Sequence, residues 1–482
     1  MGDLPQRMSD APLQIVVDLD GTLSRSDTLH EQIVRAALRH PFRLLAALPA
    51  LATSRAAFKA RLAAIPAKNL SAPWNRDVLN ALTQNADAPV AVCTASNRDF
   101  AVRLCAGLRP FTAIHGSDTE VNLKAEAKAA FLRETYGQGR FLYFGNSRED
   151  VPVWREAAGG AVVSDDAALL AEARRVCPAL DHLPPRKPPA VLSLVKALRP
   201  HQWVKNLLVF VPLLTSHRFG EPSLIRACAA AFGVFCLLSS AIYLLNDAID
   251  LDADRQHASK ARRPFAAGDV SVLWALPLCA TLLAAGLTVA AMLGAPFFTA
   301  AAGYVLLSVV YSTGLKKIAL LDVYALASLY TLRLFAGGAV TGIVISVWLA
   351  AFSIFIFLSL ALCKRYVELR DVGLPPGVRI GRRGYFPEDA RFVLNQGIIA
   401  MGCAALVLAI YLSSSAVTLL YHSPSILWIA VLVVSYWGGR LWLLASRGQM
   451  HDDPVLFALR DIVSWSCLGL LLTVFFAAMT LG

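Results

Sequence analysis

Asn246, Asp247, Asp250 and Asp254 follow one another at spacings of one, three and four. A helix running past the preceding apolar stretch would put Asp247, Asp250 and Asp254 along one face. Like charges so placed repel, so the arrangement is stable only with cations between the carboxylates. Hard oxygen ligands on a partly flexible segment suit magnesium, which keeps some of its waters and shares its shell with substrate phosphates. The chemistry implied is capture of a magnesium–pyrophosphate group, with Asn246, Asp247, Asp250 and Asp254 as metal ligands and the three aspartates as catalytic residues. The plain alternative is a solvated anionic face balanced by Arg255, Lys260, Arg262 and Arg263. Ionisable groups at the mouth of a helix bundle are costly and usually functional, which favours the magnesium reading.

The elements that must hold this cluster lie in a chain of 482 residues, 56% hydrophobic and 16% charged, with a formal charge of +11. That is a membrane protein's composition, unevenly spread. Residues 1–190 alternate charged and apolar groups as soluble domains do, whereas nearly everything after Trp203 falls into apolar blocks with charged punctuation. Runs long enough to span a bilayer lie near 204–219, 224–245, 271–291, 296–313, 319–338, 343–363, 395–416, 422–443 and 461–481, which predicts nine transmembrane helices. One set of connections carries Lys260, Arg262 and Arg263, then Lys316 and Lys317, then Lys364, Arg365, Arg370, Arg379, Arg382 and Arg383, then Arg440, Arg447 and Arg460. The opposite set, such as "MLGAP" and "AVTG", carries almost no positive charge. This asymmetry places the basic loops and the amino-terminal domain in the cytosol. No charged-then-apolar leader with a small-residue cleavage site opens the chain, which predicts the same side. Pro184, Pro185, Pro188 and Pro189 make residues 181–198 an extended linker between residues 1–180 and 199–482. The nine cysteines have no paired metal-type spacing and read as reduced, buried small hydrophobes.

"NDAIDLDADR" resembles the NDxxDxxxD motif of the UbiA superfamily of intramembrane prenyltransferases, and "YSTGLKK", Tyr311 to Lys317, resembles the turn in the middle of that fold. The resemblance covers about residues 195–482. It implies an all-α polytopic bundle of about nine helices with a lipid-facing opening and a cytosolic polar cavity, whose first aspartate motif binds magnesium and pyrophosphate. Aromatic prenyltransferases of the superfamily carry a second aspartate-rich motif after the sixth span. Here that stretch reads "CKRYVELRD", whose cations are Lys364, Arg365 and Arg370 and whose acids are Glu368 and Asp371.

"RPHQWVKN", "LDVYALASLYTLRLFAGG" and "KRYVELR" are similar to a branch of the superfamily, the polyprenyl-phosphate phosphoribosyltransferases. That branch implies phosphoribosyl pyrophosphate as donor and a long lipid monophosphate as acceptor. Several phosphate groups then converge, and cations are needed beyond the metal. Lys205, Lys316, Arg333, Lys364 and Arg365 are the expected phosphate binders, with Tyr243, Asn246, Tyr311, Asp322 and Glu368 as polar positioners. Arg333 lies well inside an apolar helix, far for its side chain to snorkel to an interface.

"QIVVDLDGTLSRSDTL", residues 14–29, is an apolar strand ending in Asp18, Asp20, Gly21 and Thr22. It resembles the DxDGT signature of the haloacid dehalogenase-like phosphatases, an α/β, Rossmann-type doubly wound fold with its site at the strand carboxyl ends. The resemblance implies Asp18 as nucleophile, Asp20 as acid/base and a bound magnesium. Thr94 in "PVAVCTAS" would end a second strand, and Lys128 or Lys124 in "NLKAEAKAAFL" would neutralise the phosphoryl group. "FLYFGNSREDVPVW" matches the acidic fourth motif with Asn146 where an acid is usual and Asp150 at the second position, which weakens or shifts metal binding there. Residues of about 30–88 read as a helical cap. Their basic amphipathic pattern equally suits an interfacial helix near anionic headgroups, or a hairpin packed on itself.

Together these readings imply a bifunctional enzyme of the bacterial inner membrane. It would form a polyprenyl-phosphoryl ribose for cell-envelope sugar assembly and remove the ribose 5′-phosphate in its own tethered domain. Magnesium serves both domains, the partners are the two substrates and the membrane with no nucleic acid among them, and the oligomeric state is left open. The alternatives are an aromatic-acceptor prenyltransferase with an unrelated or inactive phosphatase domain, and a lipid-phosphate carrier without chemistry.

Overall fold

The computed structural model describes residues 13–480 apart from 68, 85–87, 109–110, 258, 372–374, 376, 380–382, 415–416, 418–420 and 451–452. Arg382 of the basic set lies outside the described residues. The chain divides into two compact units. One comprises Met1–Arg199 with Tyr243–Thr281, the other Pro200–Ile242 with Leu282–Gly482.

The first unit is built on six strands: β1 (Gln14–Val17), β2 (Val90–Asn97), β3 (Ala113–Ser117), β4 (Phe141–Gly145), β5 (Gly159–Val162) and β6 (Leu180–His182). They lie in the order β3-β2-β1-β4-β5-β6, every pairing parallel. The order reverses beside β1, so the carboxyl end of β1 opens at the switch point where α/β sheets place their sites. β1 reads as an unbroken apolar run because both faces are covered: Ile15 and Val17 join one core with Val92, Phe100 and Phe144, while Val16 joins the other with Phe141, Tyr143 and Trp154.

Between β1 and β2 the chain is helical. Helix α1 (Thr28–Arg39) starts where the Asp27 carboxylate accepts the His30 amide. Short helices over Pro41–Ala47, Ala50–Thr53 and Arg55–Ala63 follow. Ala36, Ala47, Ala50, Phe58 and Leu62 form a small core within this insert, so the hairpin packs on itself. Later in the same unit, helix α2 (Glu126–Tyr136) buries Lys128, Ala129 and Leu132.

Among the described residues, eight helices are long and apolar enough to cross a bilayer. They are α3 (Pro222–Ile249), α4 (Ala275–Met292), α5 (Ala295–Thr313), α6 (Leu321–Thr341), α7 (Val347–Asp371), α8 (Ala390–Leu412), α9 (Trp428–Ser446) and α10 (Ile462–Thr480). The chain is an integral membrane protein. The nine spans expected from the sequence become eight among the described residues. The stretch near 204–219 forms a 3-10 segment, Pro200–Phe210, and a short helix, Val211–Thr215. Pro212 cannot donate to a continuing helix. The backbone there also runs hard against α6, where a Cβ on Gly337 would stand 2.1 Å from the Val209 carbonyl oxygen. A cleft of about 460 Å³ between α8 and α9 is lined by Ile398, Met401, Trp442 and Leu443 and has no charged side chain, so it supplies no phosphate chemistry.

Candidate active sites

At the carboxyl end of β1, Asp18 meets a cation that is itself buried. Lys128 Nζ lies 2.8 Å from Asp18 Oδ1, 3.0 Å from the Tyr143 hydroxyl and 3.6 Å from Asp150 Oδ1. Of the two lysines open in the sequence, Lys128 is the one at the site; Lys124 pairs with Glu149 at the surface. The Tyr143 hydroxyl donates to Asp150 Oδ1 at 2.7 Å, while Asp150 Oδ2 accepts from the Asn146 and Ser147 amides and the Ser147 hydroxyl, each at 3.0 Å. Asp150 therefore anchors the Asn146 loop and the Lys128–Tyr143 pair. Gly21, at φ +77°, packs against that loop so closely that a Cβ would stand 2.1 Å from Asn146 Nδ2.

Asp20 points to β2. Its Oδ2 accepts from the Ser96 hydroxyl at 2.8 Å and the Thr94 hydroxyl at 3.4 Å, and its Oδ1 accepts the Thr28 amide at 2.7 Å, at the first turn of α1. Burial pushes the Asp18 carboxyl up to about 7, against the pull of Lys128 and with the help of Asp150 and Asp20. Asp20 is also raised, first by burial and then by Asp27, against its hydrogen bonds. Burial works against the Lys128 ammonium, but Asp18 and Asp150 outweigh it and hold the proton more firmly than usual. Asp18 is thus a buried carboxylate beside a fixed cation, and the neighbouring Asp20 carboxyl is also raised. The side-chain oxygens that could hold a magnesium ion near the end of β1 are those of Asp18, Asp20 and the Asn146 amide, while Asp150 is taken up by Tyr143 and the Asn146–Ser147 turn.

The aspartate motif closes α3. The helix stops at Ile249 instead of running on, Asp250 turns the chain, and a short helix follows over Leu251–Arg255. The Asp250 and Asp254 amides still reach the Asn246 and Asp250 carbonyls at 2.9 and 2.8 Å, which keeps a helical pitch through the motif. Asp247 Oδ1 pairs with Arg199 and, at 3.1 Å, with Arg263 Nη1, which also holds Asp254 Oδ2 at 2.5 Å. Arg199 lies over the Tyr243 ring, 5.1 Å from its centre. Burial raises the Asp254 carboxyl, with Arg263 opposing. Asn246 Oδ1 and Asp247 Oδ2 are buried and accept no hydrogen bond. Orphaned oxygens of this kind are what a hard cation satisfies. Among the described residues no three His, Cys, Asp or Glu side chains stand together as a ready metal cage. A magnesium ion held here takes its other ligands from phosphate and water, as is its habit.

Asp252, within the motif but not one of its expected ligands, faces another way. It is 2% exposed and receives Arg35 Nη2 at 2.7 Å and the Ser71 hydroxyl at 3.2 Å. Arg255 holds Glu31 at 2.5 and 3.0 Å and the Ser71 carbonyl at 2.6 Å, and Arg35 closes the ring on Glu31 at 2.9 Å. Burial would raise Glu31, but Arg255 and Arg35 hold it below the usual range. Helix α1 thus touches Asp20 at its start and grips the aspartate-motif segment along its middle.

The expected cations of the second unit fall into three groups. Lys205 and Lys364 each reach Asp453 Oδ2 at 2.9 Å. Burial would raise Asp453, yet these lysines hold it well below the usual carboxylate range. Arg365 pairs with Asp322 and Glu368, and the Tyr385 hydroxyl donates to Asp322 at 2.6 Å. Arg333 makes three hydrogen bonds within the protein: Nε to Asn206 Oδ1 at 2.8 Å, Nη1 to the Leu329 carbonyl at 2.6 Å and Nη2 to the Tyr304 hydroxyl at 3.0 Å. These bonds tie α6 to Asn206 and to α5. Tyr311 and Lys316, at the end of α5 and in the turn after it, are half-buried.

A model of the UbiA prenyltransferase family matches residues 207–468. "Uncharacterized protein y4nM" of Sinorhizobium fredii is 36% identical over 474 residues, 98% of this chain and 92% of that one. "Nodulation protein NoeC" of Azorhizobium caulinodans is 35% identical over 289 residues, 59% of this chain and 93% of that one. Decaprenyl-phosphate phosphoribosyltransferase of Mycobacterium tuberculosis is 37% identical over 294 residues, 58% of this chain and 91% of that one.

Proposed function

Because this chain belongs to the UbiA prenyltransferase family, we propose that it transfers 5-phosphoribose from phosphoribosyl pyrophosphate to a polyprenyl phosphate and then removes the ribose 5′-phosphate in its amino-terminal domain. The observation that carries the transfer is the pair of orphaned oxygens, Asn246 Oδ1 and Asp247 Oδ2, beside carboxylates balanced by partly exposed arginines. The relative named for the decaprenyl-phosphate reaction supports the choice of substrates. So does "CKRYVELRD", with basic residues where a second aspartate motif would clamp a prenyl diphosphate.

Asn246, Asp247, Asp250 and Asp254 would hold magnesium, and through it the donor's pyrophosphate end. Magnesium bound there supplies the positive charge that stabilises the departing pyrophosphate. The ribose C1–O bond to pyrophosphate breaks, its electron pair leaving with that group, and an oxygen of the lipid phosphate bonds to C1. Lys205, Lys364, Lys316 and Arg365 attract the phosphates, while Tyr243, Tyr311, Asp322 and Glu368 orient them and the cations. In the other domain Asp18 attacks phosphorus, Asp20 gives its proton to the departing ribose oxygen, Lys128 balances the phosphoryl charge, and water then releases phosphate from Asp18. Residues 1–180, with a cap at about 30–88, form that phosphatase-like domain in this reading, 181–198 the linker and 199–482 the transferase. The basic loops set both sites on the cytosolic side of a bacterial inner membrane.

Membranes containing the protein, given labelled phosphoribosyl pyrophosphate or labelled prenyl diphosphate with an aromatic acid, test the reading after lipid extraction. Magnesium-dependent label in a polyprenyl-phosphoryl ribose is expected. Label on the aromatic acid, with none from the ribose donor, would overturn it.

A further inference from the structure

We infer that the insert helices over Pro41–Thr53 lie in the membrane surface and bind anionic phospholipid headgroups. This segment is apolar and thirteen residues long, about 20 Å at 1.5 Å per residue, too short to cross a core of about 30 Å. One side of it is settled: Ala47 and Ala50, 3% and 1% exposed, pack on Phe58 and Leu62. The other side is bare. Phe42 is 84% exposed, Leu45 60%, Leu48 42% and Leu51 51%. A large apolar face left in water marks an interaction surface.

Two observations name the occupant. The first is place. Arg39, two residues before the segment, donates from Nη2 to the carbonyl of Ile249 at 3.3 Å, and Ile249 is the last residue of the membrane-crossing helix α3. At the other flank of the same unit, helix α1 packs on Val272–Trp274, directly before α4, with His30 Nδ1 3.1 Å from the Ser271 hydroxyl. The apolar segment therefore begins at the depth where two membrane helices end. The second is charge. Residues 32–76 contain no Asp or Glu. Arg43, Arg55 and Arg61 are exposed beside the apolar face. An in-plane helix with an apolar face and a basic border is the pattern that anionic bilayers hold.

The full-length protein in nanodiscs of phosphatidylcholine with phosphatidylglycerol tests this, using the photo-crosslinking residue p-benzoyl-phenylalanine at Leu45 and, as a control, at exposed Glu134 on α2. Irradiation should give phospholipid adducts at position 45 and none at 134. Adducts at 45 should be enriched in phosphatidylglycerol over the bulk lipid, and Arg43→Glu should cut that enrichment about fivefold, the ratio for about 1 kcal/mol per basic side chain at an anionic surface. Equal lipid labelling at both positions, crosslinks at 45 only to protein, or adducts without headgroup preference would each overturn the inference.

Discussion

The two carboxylate clusters of the first unit balance charge differently. At Asp18 the counterion is Lys128, 4% exposed and pinned by Tyr143 and Asp150. At Asp247 and Asp254 the counterions are Arg199 and Arg263, whose side chains keep 17% and 27% exposure, and two oxygens stay without a donor. The first cluster is assembled around a fixed cation, which in the proposed reading would balance a phosphoryl group. The second is held by long arginines that can swing away as a metal and a pyrophosphate enter. A fixed cation suits repeated attack at one phosphorus; exchangeable cations suit a site that must admit and release a large anion.

The sharpest way to break this contrast is to remove the nucleophile. Asp18→Asn should lower hydrolysis of a small phosphomonoester by roughly 10⁴-fold or more, as nucleophile losses do. It should leave ribose transfer running, so that the extracted lipid keeps its 5′-phosphate. Identical lipids from wild type and variant would separate the two clusters functionally and send the search for the phosphatase substrate elsewhere.

On the other side, Asp247→Asn takes charge from the cluster with orphaned oxygens. Transfer should fall by roughly a hundredfold or more. The magnesium concentration for half-maximal transfer should rise, while phosphomonoester hydrolysis stays within twofold. An unchanged magnesium requirement would mean that these oxygens do not see the metal.

The ring Glu31–Arg35–Asp252–Arg255 joins the two clusters through α1. Arg35→Met leaves the buried Asp252 with only the longer Arg39 contact at 3.5 Å and should destabilise the first unit by up to about 3–5 kcal/mol, read by thermal unfolding. Arg35→Met with Asp252→Leu removes both members and leaves Glu31 with Arg255, so most of the stability should return. If transfer recovers with it, the ring is support; if transfer stays low, the ring sets the motif's geometry.

The parallel sheet of the first unit and eight of the nine expected spans were legible because each is a local pattern: an apolar run ending in DLDG, or a block long enough to span. The segment 204–219 misleads for the same reason. Hydropathy counts side chains, whereas Pro212 and the close approach of Val209 to Gly337 decide the backbone. The partners of Arg333, Asn206 and Tyr304, lie far off in sequence, and no local pattern names them. Asp252 was passed over since its partner Arg35 is 217 residues away. Asp453, which gathers Lys205 and Lys364, sits in a short loop whose sequence carries no motif. Arg199 stood in a quoted stretch, but only the fold brings it to Asp247.

The smallest expected effect is one of pH. In the proposed reading Asp18 attacks as a carboxylate, and burial holds its carboxyl near 7, well above the usual carboxylate range. Phosphomonoester hydrolysis at low magnesium should therefore lose activity as pH falls below about 7, roughly tenfold per unit once well below it. A bound cation favours the carboxylate, so raising magnesium should move this acid limb to lower pH. Asp150 contributes to the raised value as a neighbouring negative charge. Asp150→Asn should then move the limb the same way even at low magnesium, although its lost hold on Ser147 and Tyr143 will reduce the rate at every pH. In transfer assays the limb near 7 should be absent, because Asp18 takes no part. A matching limb in both activities would mean that the carboxyl titrating near neutrality belongs to a group the two reactions share, and the contrast between a fixed-cation cluster and an exchangeable one would fail at Asp18.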